Sequence, residues 1–396
     1  MDKIKEILER NVEEIIEWKH LEERLKKGEK LRVKLGADPS KPDLHIGHYV
    51  VLRKLKEFQE LGHKVIFIIG DFTARIGDPS AQNKMRPQLS EEEVKKNAQT
   101  YLEQVGKILD IKKTEILFNS NWYKKGGWDE VLLLASKFTV ARILERDDFS
   151  NRFGQGIDIG IHELLYPIMQ AYDSVVVKAD LEIGGTDQKF NMLAGRILQK
   201  RMGLPPQDII TVPLLIGTDG KNKMSKSLNN YIALCDPPSE IYGKVMSIPD
   251  ELIVSYFELA TDLKKEELSQ IKNKLKKQIN PRDLKAQLAL KLVAMYHGPE
   301  KAQKAEREFE KIFRKKERPT EIPEIKIKEG NWKLVDLLAK YGLAFSKSEA
   351  RRLIEQGGVK VEGKTITSDR VLGLSSGMVI QVGKRKFVKL KIVNKN

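Results

Sequence analysis

A chain of 396 residues with 40% apolar side chains has room for two or three packed domains. Its formal charge of +15 asks for a polyanionic partner, whether nucleic acid, anionic membrane or a phosphate-rich substrate. The single cysteine, Cys235, excludes an internal disulfide and a cysteine-based zinc site, and no apolar stretch approaches the roughly 20 residues of a membrane span, so a cytoplasmic protein with no membrane partner is expected.

Taken in order, the N-terminal "MDKIKEILERNVEEIIEWKHLEERL" carries apolar residues at helical spacing and is predicted to be one amphipathic helix. Five short apolar runs then read as strands: "LRVKL" (31–35), "KVIFIIG" (64–70), "EILFNS" (115–120), "SVVVKA" (174–179) and "IITVPLLI" (209–216). A helix pattern ended by Gly62 lies between the first two, giving the strand–helix–strand order of an α/β, Rossmann-like, doubly wound parallel sheet. Such a sheet is expected to fill residues 1–235 as the catalytic domain, with a helical insertion at about 83–160. Ser90 and Glu93 stand at capping-box spacing within that insertion. Residues 236–314 are charged and helical throughout, an expected α-helical domain, and 315–330 have the proline and charge content of a linker. From 331 to 396 come two short helices broken at Gly342, a Gly357-Gly358 turn and a hairpin turning at Glu362-Gly363. This last segment holds fourteen basic against five acidic residues, +9 of the total, the balance of a nucleic-acid-binding module.

Chemistry concentrates in two places. "GADPSKPDLHIGH" (36–48) leaves the first strand and opens the next helix, so His45 and His48 offer ring donors where backbone N–H groups already favour anions. Gly47 between them leaves space for a planar base or sugar close to the backbone. "TDGKNKMSKSLNN" (218–230) follows the last strand and gathers Lys221, Lys223 and Lys226 among turn-forming residues. No Walker sequence occurs, so a P-loop ATPase is not indicated. Histidines on one strand end and lysines on a mobile loop at another could instead close on one triphosphate, placing positive charge where a phosphoryl or nucleotidyl transfer develops negative charge.

"HIGH" and "KMSKS" are the two signatures of class I aminoacyl-tRNA synthetases, and together with "YPIMQAYDS" (166–174), "IGGTDQKFN" (183–191) and the S4-like tail the chain resembles the bacterial tyrosyl-tRNA synthetase family over its whole length, in its KMSKS-bearing subgroup. The resemblance implies ATP-dependent activation of tyrosine and its transfer to tRNA, with Mg²⁺ accompanying ATP, no zinc, and a homodimer formed through the helical insertion. It assigns His45, His48, Lys223 and Lys226 to catalysis, and these with Gly36, Asp38, Gly47, Gly185 and Asp187 to ATP. It assigns Asp78, Tyr166 and Gln170 to the tyrosine ammonium, Asp173 to the phenol hydroxyl, Gln188 to the tyrosine backbone, and Thr73 and Asn119 to weaker pocket positions. Tyr166, Gln170 and Asp173 follow each other by four and three residues, which puts them on one helical face. In the S4-like segment, Lys347, Arg351, Arg352, Lys360 and Lys364 are the expected tRNA contacts. Lys34 and Leu35 depart from the better-known branch, which has Tyr and Cys there, and they stay outside the expected site. A tryptophanyl enzyme shares both signatures but typically lacks an S4 domain. A cytidylyltransferase-like enzyme shares only the histidine signature, and a non-catalytic RNA-binding module would leave the Tyr166–Gln170–Asp173 face without a purpose.

Overall fold

The computed structural model describes residues 3–80, 88–277, 279–313, 322–383 and 386–393. The first part of the expected linker, up to residue 321, and the expected start of the helical insertion at 83 lie outside the described residues. The chain divides into two compact units, Met1–Gly298 and Pro299–Asn396.

In the first unit, β1 (Glu14–Ile16), β2 (Arg32–Ala37), β3 (Lys64–Ile69), β4 (Thr114–Phe118), β5 (Leu181–Gly185) and β6 (Asp208–Val212) form one sheet in the order β1-β6-β5-β2-β3-β4. All pairings are parallel except β1 with β6. Continuous Val/Ile/Phe runs suit these strands because both faces are covered: β3 is buried from Val65 to Ile69 and β6 along its whole length. β2 pairs with β3 on one side and β5 on the other, so the strand order reverses there and a crevice opens beyond the carboxyl ends. This is the Rossmann-like doubly wound sheet the strand–helix alternation predicts. Helices Pro238–Met246, Ile253–Ala260, Lys265–Lys276 and Pro281–His297 complete the unit. No described helix is long and apolar enough to cross a membrane.

Three elements differ from the sequence expectation. The N-terminal segment is not one helix but two, Lys3–Glu9 and Trp18–Lys26, separated by β1. Asn11 and Glu17 adopt positive φ (51° and 67°), breaking the helix on both sides of "EII", and that tripeptide takes up the free edge of β6. "SVVVKA" is not a strand: the helix Ile161–Val176 runs into it, and Lys178, with φ 47°, turns the chain just beyond its end. A valine run satisfies either structure by composition, and here the helical face begun at Tyr166 continues. The strand comes later, as "LEIGG".

The third difference lies in the expected linker. β7 (Glu324–Lys328) pairs in parallel with β13 (Lys386–Val393), and Ile327 is fully buried in the second unit's core. "EIKIK" alternates with the period of a half-buried strand, a signal overshadowed by the neighbouring prolines. The five-stranded sheet runs β10-β9-β12-β13-β7, with β9 at Val359–Val361, β10 at Lys364–Ile366 and β12 at Val379–Val382. The turn between β9 and β10 is the expected one: Glu362 (φ 49°) and Gly363 (φ 81°) both lie in the left-handed region that a two-residue hairpin requires. β8 (Asn331–Lys333) and β11 (Val371–Gly373) form a separate ladder, and helices Leu334–Lys340 and Lys347–Glu355 pack their leucines and Ile354 into the shared core.

Candidate active site

Beyond β2 and β5 lies a cavity of about 560 Å³. The end of β2 and the segment leaving it supply Gly36, Asp38, His45, Gly47 and His48; the end of β5 and the segment after it supply Gly185, Asp187 and Gln188; the loop after β6 brings Lys223 and Lys226. Thr73, Asp78, Tyr166, Gln170 and Asp173 line the same space. Of the residues expected to meet ATP and tyrosine, only Asn119 is not in the lining; it is fully buried behind Thr73 and hydrogen-bonded to it at 3.0 Å.

His45 caps the helix Ile46–Glu60, and its backbone N–H donates to His48 Nδ1 at 3.1 Å. That bond makes Nδ1 the acceptor and leaves the His48 proton on Nε2. Withdrawal from water lowers His48 to about 3, reinforced by the Lys226 charge, and lowers His45 well below the usual imidazole range, with His48 and Lys226 adding to the effect. Both rings are therefore neutral at physiological pH. Gly47 serves the imidazole itself: a Cβ there would stand 2.9 Å from His45 Nδ1 and 3.6 Å from Met224 Cβ of the lysine loop. The glycine at this position lets the histidine pair and the lysine loop approach each other, and it also lines the cavity.

The lysine loop is held at its base by Asp219, whose carboxylate accepts from the Lys221 and Asn222 backbones and from the Asn222 and Asn230 side chains at 3.0–3.2 Å. Lys223 pairs with Asp187 at 2.7 Å, and Lys226 donates to Tyr101 Oη at 2.9 Å while its ammonium lies 5.2 Å from that ring's centre. Lys221 is exposed and outside the cavity. Two of the three clustered lysines thus reach the crevice, each resting on a group that a polyphosphate could displace.

Carboxylates gather on the side of the cavity lined by Tyr166, Gln170 and Asp173. Asp173 accepts from Tyr123 Oη at 2.8 Å, Trp122 Nε1 at 3.0 Å and Asn119 Nδ2 at 3.4 Å, and its withdrawal from water raises it to about 6. Asp38 accepts from Thr73 Oγ1 at 2.8 Å and Tyr166 Oη at 3.0 Å, and the same cause, with Asp78 nearby, raises it to about 7. Asn119 donates to Thr73 and Thr73 to Asp38, so one hydrogen-bond chain ties Asp173 to Asp38. A Cβ on Gly70 would fall 2.0 Å from Asp38 Oδ1, which explains the glycine ending that strand. Asp78 accepts from Ser80 Oγ at 2.7 Å and from Gln188 Nε2 at 2.8 Å. Lys34, fully buried, donates to Glu182 at 2.9 Å, Ser174 at 2.8 Å and the Gln170 carbonyl at 3.0 Å, so it lies beneath the pocket as the counter-charge of Glu182.

The family model for class I tRNA synthetases of the tryptophan and tyrosine type matches residues 26–314. The chain belongs to this family. The S4 domain model matches residues 332–374 of the synthetase. It is 55% identical over 386 residues to the tyrosine–tRNA ligase of Thermotoga maritima, covering 97% of this chain and 96% of that one. It is 52% identical over 390 residues to the ligase of the same name from Moorella thermoacetica, covering 97% and 94%. Among solved structures, a truncated mitochondrial tyrosyl-tRNA synthetase from Aspergillus nidulans aligns with a TM-score of 0.66 at 23% identity, over 79% of this chain and 95% of that one. The Archaeoglobus fulgidus tyrosyl-tRNA synthetase complexed with L-tyrosine aligns with 0.64 at 24% identity, over 77% and 99%.

Several residues that hold the lining of the synthetase's crevice carried no signal in the sequence. Tyr101, which receives Lys226, sits on the helix Glu91–Val105 and reads there as an ordinary apolar-face residue. Arg146, Trp122 and Tyr123 come from the helical insertion, far along the chain from the carboxylates they meet. In the second unit, Arg351 and Arg352 are exposed on the helix whose opposite face buries Ala350 and Ile354. Lys360 lies on β9, half-buried, and Lys364 is exposed at the start of β10. Lys347 is exposed but pairs with Asp336 at 2.8 Å.

Proposed function

We propose that the chain is a tyrosine–tRNA ligase that joins L-tyrosine to ATP, forming tyrosyl-adenylate and pyrophosphate, and then passes tyrosine to the 3′-terminal adenosine of its tRNA. The observation that carries the choice of amino acid is Asp173, a buried carboxylate lining the same cavity as the histidine pair and the lysine loop. Its three protein donors leave lone-pair capacity for a phenol O–H. Phenylalanine would leave that capacity unmet in a dry site, and discrimination of tyrosine from phenylalanine in this enzyme family is itself the reference case for the effect. Full-length relatives bearing the same name support the reading.

In the first step a tyrosine carboxylate oxygen attacks the α-phosphorus in line. The new O–P bond forms as the bond to pyrophosphate breaks, with no covalent enzyme intermediate. Neutral His45 and His48 donate hydrogen bonds to the phosphates without competing for protons, while Lys223 and Lys226 leave Asp187 and Tyr101 to neutralise the departing pyrophosphate. Asp187, released from Lys223, becomes available to the ribose hydroxyls. Asp38, Asp78, Tyr166 and Gln170 surround the substrate ammonium. Mg²⁺ enters as part of the ATP substrate. In the second step a ribose hydroxyl of the tRNA attacks the tyrosyl carbonyl and AMP leaves; the exposed basic residues of the second unit supply phosphate contacts. A homodimer is supported by exposed apolar side chains on the insertion and the adjoining helix: Trp128 (81% exposed), Leu132 (64%), Phe153 (69%) and Ile161 (79%). A lone cysteine and a polyanionic partner support a cytoplasmic reaction.

The test is ATP–pyrophosphate exchange with tyrosine, tryptophan and phenylalanine offered separately. Exchange with tyrosine alone is expected; exchange supported by tryptophan would replace this reading with its nearest rival.

A further inference from the structure

Gln170 and Gln188 share a neighbour, Asn191, to which the sequence motifs assign no role. Asn191 Nδ2 lies 3.0 Å from Gln170 Oε1 and 3.0 Å from Gln188 Oε1. At their other ends the two amides meet acids: Gln170 Nε2 is 3.1 Å from Glu182 Oε1 and Gln188 Nε2 is 2.8 Å from Asp78 Oδ2. An ionised carboxylate only accepts, so each amide must turn its NH₂ to the acid and its oxygen to Asn191. Asn191 is itself fixed, because its Oδ1 lies 3.0 Å from Nη1 of Arg146, and a guanidinium only donates. Arg146 is 4% exposed and Asn191 is 1% exposed, so water does not compete for these bonds. The arrangement is one directed chain, from the guanidinium through Asn191 into both glutamines and out to Glu182 and Asp78. Every amide in it has only one orientation compatible with its neighbours.

We infer that Asn191, oriented by Arg146, is a positioning residue that holds the side-chain oxygens of Gln170 and Gln188 as acceptors for the α-ammonium group of the bound amino acid. The inference rests on the tyrosine-ligase reading, which puts that ammonium beside Gln170 and the tyrosine backbone beside Gln188. Each amide oxygen has two lone pairs, of which Asn191 occupies one and leaves the other for the substrate. Without Asn191 the amides would rotate about their carboxylate bonds and lose the shared aim.

The test pairs a side chain with a substrate group. Binding of L-tyrosine and of 3-(4-hydroxyphenyl)propanoate, the same molecule without its amino group, is measured by calorimetry on the full chain and on Asn191→Leu. The variant is expected to weaken tyrosine about tenfold, the value of one charge-assisted hydrogen bond, and to leave the des-amino compound and the KM for ATP within twofold. Asn191→Ala carries the same expectation should the leucine variant not fold. Arg146→Met should follow Asn191→Leu, and Arg146→Lys, which keeps a donor, should recover part of the loss. Equal weakening of both compounds would mean a purely structural role and would overturn the inference, as would unchanged tyrosine binding. Failure of the unsubstituted chain to bind tyrosine would instead remove the functional reading beneath it.

Discussion

Asp38 carries the sharpest consequence at the scale of single residues. Its carboxyl, raised to about 7 by withdrawal from water beside Asp78 and Asp173, is largely protonated in the free protein below that pH. An arriving ammonium favours the ionised form, so tyrosine binding should expel a proton and strengthen as pH rises. Between pH 5.5 and 7.5 the affinity is expected to increase roughly tenfold. Calorimetry in buffers of different ionisation enthalpy at pH 6.5 reads the proton directly, and Asp38→Asn should flatten the profile. A wild-type affinity that does not change with pH would remove Asp38 from the ammonium site. The shared face of Tyr166, Gln170 and Asp173 was legible in "YPIMQAYDS" because helical spacing is a local property, while Asp78 came only from the family resemblance. Tyr123, Trp122 and Arg146 were not legible, since what they do depends on a fold that brings residues 122 and 146 against residues 173 and 78.

Among elements, the lysine loop is the one whose state must change during the reaction. Lys223 rests on Asp187, and Lys226 on Tyr101 and the Lys41 carbonyl, contacts that a bound triphosphate would have to replace. Lys226→Ala should slow adenylate formation by roughly 10²–10³ while tyrosine affinity stays within about twofold, because the lysine acts on developing phosphate charge and not on the amino acid. Stopped-flow measurement of adenylate formation decides it; a wild-type rate in the variant would mean that the loop lysines serve only solubility. The elements themselves were readable where one periodicity dominated, as in the helix after "HIGH" and in β3. They were misread where apolar runs fit two structures. "SVVVKA" and "EIKIK" show both directions of that error, one a helix end and the other a paired strand, and in each the neighbouring chain made the choice.

For the whole molecule, the division into two compact units predicts separable losses. A chain cut at Glu321 is expected to sediment as the proposed dimer and to form tyrosyl-adenylate, yet to charge tRNA at least tenfold more slowly, because the phosphate contacts proposed for the S4 unit would be gone. Full aminoacylation by the shortened chain would refute the role given to Arg351, Arg352 and their neighbours, and a monomer would refute the interface centred on Trp128. The sequence by itself determined the two signatures, the parallel-sheet alternation, the hairpin at Glu362-Gly363 and the basic C-terminal balance, all properties of spacing, turn chemistry or charge that hold along the chain. Only the tertiary structure decided that Gly47 makes room for a histidine, that Lys34 is the buried counter-charge of Glu182, and that Asn191 joins two glutamines. Those facts depend on distances between atoms far apart in the chain, and such distances are fixed only when the sheet closes and water is excluded.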